Sequence, residues 1–363
     1  MSGRTAFRAV AGAGAFALVI ASAPAARAQA VLRVNETVSF RFGIAIQAWA
    51  DWTEDALTGG YAENLFIRRA RLYVGGQIAP GVTFLIVPVG SNLGKAPKSS
   101  LSSFYIEDGF LEWQATKALA LDAGLILIPL SRNGLEQSVR QLTLDYGSFT
   151  FLANGVTQSV AGRDVGFQAK GYFASDRLEV RVGAFQGRRE AGSRNSFRSA
   201  GRVQYNVFDA EKGPFYPGTY LGTKKVLAVG AGFDLQGDFR AFAGDLFLDL
   251  PVGHGNGVTF QFDFIRWDGG TTFPTLLRQN DIFVEGGYYV SAVRLLPWAR
   301  FESQSFLDGG NEGRNQKRFQ AGLTWYGQGH NFNVRAAYGR VIPRVEGVRS
   351  TSQFTLQLQL FYF

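Results

Sequence analysis

Residues 353–363 read QFTLQLQLFYF. Phe354, Leu356, Leu358 and Leu360 alternate with Gln353, Thr355, Gln357 and Gln359. Period-two alternation marks a strand with unlike faces. In a soluble sandwich the leucines would meet a core and the glutamines bulk water. In a membrane barrel the leucines would meet lipid and the glutamines a wet lumen. One strand fits both, so the remaining strands decide. The aromatic end departs from strict alternation, with Phe361 and Phe363 on the glutamine side and Tyr362 on the leucine side.

The same rule runs through the chain. Val38, Phe40, Phe42, Ile44 and Ile46 oppose Ser39, Arg41, Gly43, Ala45 and Gln47. Leu178, Val180, Val182 and Ala184 oppose Arg177, Glu179, Arg181 and Gly183, and Phe319, Ala321, Leu323 and Trp325 oppose Arg318, Gln320, Gly322 and Thr324. About sixteen such runs begin near residues 38, 65, 82, 103, 119, 161, 177, 197, 224, 239, 257, 280, 294, 316, 330 and 351. Tight connections alternate with longer ones, the pattern of short periplasmic turns and long extracellular loops. Two places break it: 208–223 is long where a short turn is expected, and 236–238 is short where a loop is expected. No blade-length repeat suggests a propeller, and no linker divides the chain into two sandwiches. Trp and Tyr gather near strand ends, as at Trp52, Trp113, Tyr288 and Trp298. The expectation is an all-β fold: a transmembrane antiparallel barrel of about sixteen strands over residues 29–363.

Composition agrees once alternation is allowed for. Hydrophobic residues make up 46%, yet mean hydropathy is close to zero, because in-and-out faces cancel in the average. Forty-five glycines and 32 phenylalanines suit strands and turns. There is no cysteine, hence neither a disulfide nor a thiolate metal site. Residues 1–28 have the layout of a cleaved signal peptide: Arg4 and Arg8, an apolar stretch through Phe16 and Ile20, then Ala26-Arg27-Ala28. Its removal takes three arginines and lowers the formal charge from +8 to +5. No later stretch approaches the ~20 apolar residues of a spanning helix. A mildly basic exported chain points to small anions and acidic surfaces, with nucleic acid the poorest partner.

An active site is hard to assemble. The two histidines, His254 and His330, each lie beside glycine in predicted turns and read as solvated turn residues. No Ser, His and acid fall together, so no enzyme is expected. No cofactor or transition-metal set is expected either. Asp308-Gly309-Gly310-Asn311-Glu312 is open to two readings, a calcium loop or a plain exposed loop.

The charges that carry information are 29 arginines against 8 lysines. Arginine facing lipid costs roughly 2–4 kcal/mol at the midplane. Alternation therefore sends Arg41, Arg69, Arg71, Arg181, Arg202, Arg300, Arg318 and Arg335 into the lumen, with Lys170 on the matching face of its strand. Such a wall attracts anions and can fork onto oxyanions such as phosphate. The competing reading pairs these cations with inward acids (Glu107, Asp108, Glu112, Asp164, Glu179, Asp263, Glu285 and Glu302) in a neutral, braced wall. The 130–160 connection, carrying Arg132, Glu136, Arg140 and Asp145, is too long for a simple link. Folded inward it would narrow the lumen; the alternative is a surface lid.

FIRRARLYVGGQIAPGVTF (66–84), FYIEDGFLEW (104–113), GLILIP with Leu135-Glu136, GRDVGFQAKGYF (162–173), LGTKKVLAVGAGFD (221–234), LFLDLP (246–251), LLPWARFES (295–303) and the terminal FTLQLQLFYF together resemble the phosphate-selective porin O and P family of bacterial outer membranes. That resemblance implies a sixteen-stranded, usually trimeric barrel among outer-membrane lipids, with an inward-folded third loop and an arginine-lined anion path. It also implies that the terminal aromatic is read by the outer-membrane assembly machinery. The best-known members cluster lysines at the constriction, whereas Lys95 and Lys98 are the only close lysines here. The expected function is passive diffusion of small hydrophilic solutes, favouring inorganic anions such as phosphate. The alternative is a non-channel barrel serving as an anchor or adhesin.

Overall fold

The computed structural model describes residues 30–97, 104–151, 156–189, 196–345 and 347–363. The expected signal segment 1–28 and Lys98 lie outside the described residues. The chain opens with β1 (Ala30–Arg33), β2 (Ser39–Glu54), β3 (Tyr61–Ala79), β4 (Val82–Leu93), β5 (Phe104–Thr116) and β6 (Leu119–Leu127). It continues with β7 (Arg163–Phe173), β8 (Leu178–Phe185), β9 (Arg198–Asn206), β10 (Val226–Gln236), β11 (Phe239–Val252) and β12 (Asn256–Asp268). The last strands are β13 (Gln279–Tyr289), β14 (Leu295–Phe306), β15 (Gln316–His330), β16 (Phe332–Pro343) and β17 (Thr351–Tyr362).

Sixteen of these, β2 to β17, close a ring. Each pairs antiparallel with the next, and β17 returns to β2 from Gln353↔Thr53 to Tyr362↔Ile44. Closure leaves no open edge where lipid could not satisfy it. The short β1 stands outside the count. It pairs Ala30↔Phe42 through Arg33↔Ser39, taking up the edge of β2 just beyond the point where β17 stops. Gly43 sits at that junction, where a Cβ would collide with the Tyr362 carbonyl.

The outer surface is apolar, with Ile44, Ile46, Leu72, Phe167, Val182, Phe242 and Leu323 exposed. The inner surface is polar and buried: Gln47, Asp51, Arg69, Arg71, Lys170, Arg335, Gln357 and Gln359. This inversion of a soluble core is what the alternation predicts for a barrel in lipid. Among the described residues no helix is long and apolar enough to cross a membrane. The broken alternation at the chain end has a local cause. Phe361 is buried against Tyr73, and Phe363 stacks on the same ring at 5.0 Å between centroids. The inward aromatics plug a gap that glutamine would not fill.

Two connections carry buried residues against the inner face. One is 128–162, between β6 and β7 at the long-loop end of the ring. The other is 207–225, between β9 and β10 at the short-turn end. The sequence shows the second as a long connection out of place, and its packing gives the reason. Gln137 N donates to Tyr216 O (2.9 Å), Tyr216 N to Leu135 O (3.0 Å) and Gly218 N to Arg140 O (3.0 Å). Connections from opposite ends thus meet in a short parallel bridge. Residues 132–145 also bond to inward groups of several strands: Arg132 N to Asp245 (3.1 Å), Asn133 N to Asp263 (3.0 Å) and Thr143 Oγ1 to Glu285 (2.7 Å). From the facing wall, Gln47 donates to Ser138 O (3.2 Å) and Gln359 to Val139 O (2.9 Å). Gly232 on β10 admits this segment, because a Cβ there would strike the Leu130 carbonyl.

Candidate pore-lining site

Along β7 to β11 the inward cations are paired. Lys170 meets Glu112 and, at 3.1 Å, Asp122. Arg163 pairs with Asp108 (3.0 Å), Arg198 with Asp234, and Arg202 with Asp245 (2.7 Å to Oδ1). Arg181 pairs with Glu179 and donates to the Pro214 (3.0 Å) and Gly213 (2.8 Å) carbonyls. At the centre of this half, Arg132 forks onto Glu211 at 2.7 and 2.8 Å, donates to Pro217 O at 3.0 Å, and lies 3.4 Å from the Phe247 ring centre. Both ends of the Arg132–Glu211 pair are almost fully buried. Burial alone would raise the Glu211 carboxyl, but the Arg132 charge holds it below its ordinary range.

The other half of the ring holds a cavity of about 690 Å³. Trp49, Phe66, Tyr105 and Tyr146 give it apolar walls, and Arg68, Arg69, Lys95, Arg300 and Arg318 give it positive ones. Glu107 and Asp145 are its lining acids. A register shift brings two adjacent arginines to bear there. Gln47 faces Arg69 and Ala48 faces Ile67, so Arg68 is the extra residue of a β-bulge. Arg68 then reaches Asp145 at 2.7 Å, and Arg69 reaches Asp145 and Gln47 (2.9 Å). Burial alone would raise the Asp145 carboxyl; Arg68 and Arg69 hold it well below the usual range. Arg71 forks onto Glu107 at 2.6 and 2.8 Å and also holds Ser138.

Arg300 pairs with Glu302 at 2.9 Å and donates to the Asp145 carbonyl at 2.7 Å. Arg335 is fully buried, bonded to the Thr143 carbonyl and to Asn333 (3.1 Å). Arg318 differs from its neighbours. It donates to Ser148 Oγ (2.8 Å) and Gln353 Oε1 (3.1 Å), and no carboxylate lies within ion-pair distance among the described residues. Lys95 stands 3.7 Å from Asp51 and 4.9 Å from the Phe66 ring centre.

Arg41 and Arg140 lie apart from both this cavity and the paired wall of β7 to β11. Arg41 is exposed near the short-turn end, over the Phe363 ring at 5.6 Å. Arg140 is exposed on the 128–162 connection, where among the described residues only its backbone is hydrogen-bonded. Glu136 is buried; burial first, then the Glu285 and Asp263 charges, push its carboxyl well up. His330 is not the solvated turn residue expected from its glycine neighbours. It ends β15 half-buried, with Nε2 donating to the Thr219 carbonyl at 3.1 Å, because the 207–225 connection folds over it. His254 is exposed at a turn with φ +54°. Asp308 pairs with Arg278 at 2.9 Å. No group of three or more metal-ligating side chains occurs among the described residues.

The acids Asp122, Asp234 and Asp245 and the cations Arg163 and Arg198 escape the sequence reading, although strand phase holds the signal. Arg198 precedes Arg202 by four residues and so shares its face. Glu211 leaves no such trace, since it lies in a connection without periodicity.

No protein-family model matches the chain, and no curated protein sequence matches it. Solved structures do. An anion-selective porin from Comamonas acidovorans aligns with a TM-score of 0.60 at 11% identity, covering 90% of this chain and 100% of that one. OmpF of Salmonella typhi, solved in complex with daunomycin, gives 0.60 at 14% identity, over 91% and 100% of the two chains. OprB of Pseudomonas putida gives 0.59 at 10% identity, over 89% and 94%. At such identities the likeness shows the fold. The chain is a closed sixteen-stranded antiparallel barrel of the kind formed by bacterial outer-membrane porins, with an apolar outer band that places it in that membrane.

Proposed function

We propose that this chain is a passive outer-membrane porin for small hydrophilic solutes that favours inorganic anions, phosphate among them. The observation that carries the reading is Arg318, a cavity-lining guanidinium whose hydrogen-bond partners are neutral and which, among the described residues, has no carboxylate within ion-pair distance. A fixed positive charge without a carboxylate partner raises the local concentration of anions and repels cations. Arg335 on the adjoining strand β16 and Arg140 on the 128–162 connection extend the positive path, and Arg41 lies near its short-turn end. Arg69, Arg71, Lys170, Arg181, Arg202 and Arg300 then serve mainly as braces, because each is paired with a carboxylate. The 130–160 segment, through Arg132, Glu136 and Asp145, is the constriction. Residues 1–28 are a signal peptide removed on export, and three copies assemble as a homotrimer. The chemistry is diffusion down a gradient, with no catalytic step.

The comparison supports this direction, since one structurally similar protein is described as anion-selective. Zero-current potentials in planar bilayers under a KCl gradient test it: the expected sign is that of chloride preference, and a cation-selective sign rejects the anion claim. A second reading, a non-conducting anchor barrel, draws on the bridge between the two inner connections. Complete absence of single-channel steps from correctly folded protein would establish that reading instead.

A further inference from the structure

The lipid-facing wall of β12 to β16 carries a recess. Gly286, Ala299 and Ala321 lie side by side across three strands. Phe260 borders Gly286 on one side, and Tyr338 borders Ala321 on the other. Phe301 and Phe319, 4.9 Å apart between ring centres, form its upper lip. Three residues without bulk among four aromatics leave an apolar hollow of about 540 Å³.

Arg340 lines the same hollow, paired in register with Phe319. It is exposed, on the outward phase of β16, and its side chain makes no hydrogen bond or ion pair among the described residues. An outward arginine in a membrane wall is costly unless it reaches the interface or meets an anion. Arg340 lies close to Pro343 at the long-loop end of β16, so it stands near the membrane surface. Lys317, on the neighbouring strand, is outward and exposed at the same end.

We propose that this recess binds one membrane lipid with an anionic phosphate headgroup, its acyl chain in the hollow and its phosphate on Arg340, with Lys317 beside it. The polarity of the site fits that occupant along its length: apolar towards the membrane centre, cationic towards the surface. Arginine forks onto phosphate oxygens with two parallel hydrogen bonds. A second copy of the chain would have to supply both a protruding apolar ridge and a carboxylate at the right height, whereas a single anionic lipid supplies both parts.

The test is native mass spectrometry of the whole purified barrel, titrated with phosphatidylglycerol or with phosphatidylcholine of the same chains. Wild type should retain phosphatidylglycerol in preference. Arg340→Ala should weaken phosphatidylglycerol retention about tenfold and leave phosphatidylcholine unchanged. Ala321→Leu, which fills the hollow, should reduce retention of both. Heat-modifiable gel migration of each variant confirms that the barrel is intact. Unchanged phosphatidylglycerol retention in Arg340→Ala overturns the proposal. So does displacement of the lipid by inorganic phosphate alone, or cross-linking of this face to a second copy.

Discussion

Arg132 and Arg318 both lie inside the ring, and the company they keep is different. Arg132 is wrapped by Glu211, the Pro217 carbonyl and the Phe247 face, with no surface left to water. Arg318 stands at the wall of the 690 Å³ cavity with a hydroxyl and an amide for partners. Inward orientation alone therefore does not assign a role to an arginine. A guanidinium closed in by its own carboxylate holds the two inner connections together. One left with neutral partners keeps its charge available to whatever enters the cavity.

The largest change should come from breaking the closed side. Arg132→Ala strands Glu211 in a buried site, and loss of one partner of such a pair costs about 3–5 kcal/mol. The two inner connections should then loosen from each other. The readouts are a lower temperature for the shift in heat-modifiable migration and noisier, larger single-channel steps. Replacing both members together, as Arg132→Met with Glu211→Leu, should recover much of the stability. If the single and double variants behave alike, the pair is not the latch.

A smaller effect is expected on the open side. Arg318→Gln should lower the chloride-to-potassium permeability ratio by roughly threefold, within the span of one exposed charge interaction, while leaving barrel stability nearly unchanged. The same ratio in Arg181→Ala should move less, since Arg181 already has Glu179 and two carbonyls. A larger loss of selectivity from Arg181 than from Arg318 would undo the division between braces and free charge.

The smallest effect concerns pH. Asp145 titrates below its ordinary value because Arg68 and Arg69 hold its charged form. A lowered carboxyl contributes stability that is fully present above the unfolded-state pKa and is lost as pH falls through the folded value. Between about pH 7 and about pH 3 its ion pairs should therefore persist, and the contribution of Asp145→Asn to the permeability ratio should be constant. A variant difference that has largely vanished by about pH 3 would place the Asp145 carboxyl in an ordinary, unpaired setting.

The sixteen-stranded ring was legible in the sequence because lipid outside and polar groups inside force every strand into the same alternation. Strand phase also carried the inward direction of Arg69, Arg71, Arg300 and Arg335. It could not show that Arg68 joins Arg69, since a bulge resets the phase by one residue. It could not show what Arg132 pairs with, because Glu211 lies in a connection whose path is set by packing rather than by period. His330 illustrates the same limit: a glycine beside it suggests a turn, while its burial depends on a segment more than a hundred residues earlier in the chain.

The return of β17 to β2 also sets a timetable. Gln47 and Gln359 bond across 312 residues of chain. The entropic surcharge over a ten-residue hairpin is modest, about 3 kcal/mol by (3/2)RT ln n. Time is the heavier burden, because contacts so distant in sequence form slowly. Until β17 arrives, β2 keeps a free edge, and the polar lining lacks a complete wall around it. A half-built ring is thus an aggregation hazard that the topology itself carries until the last strand closes it.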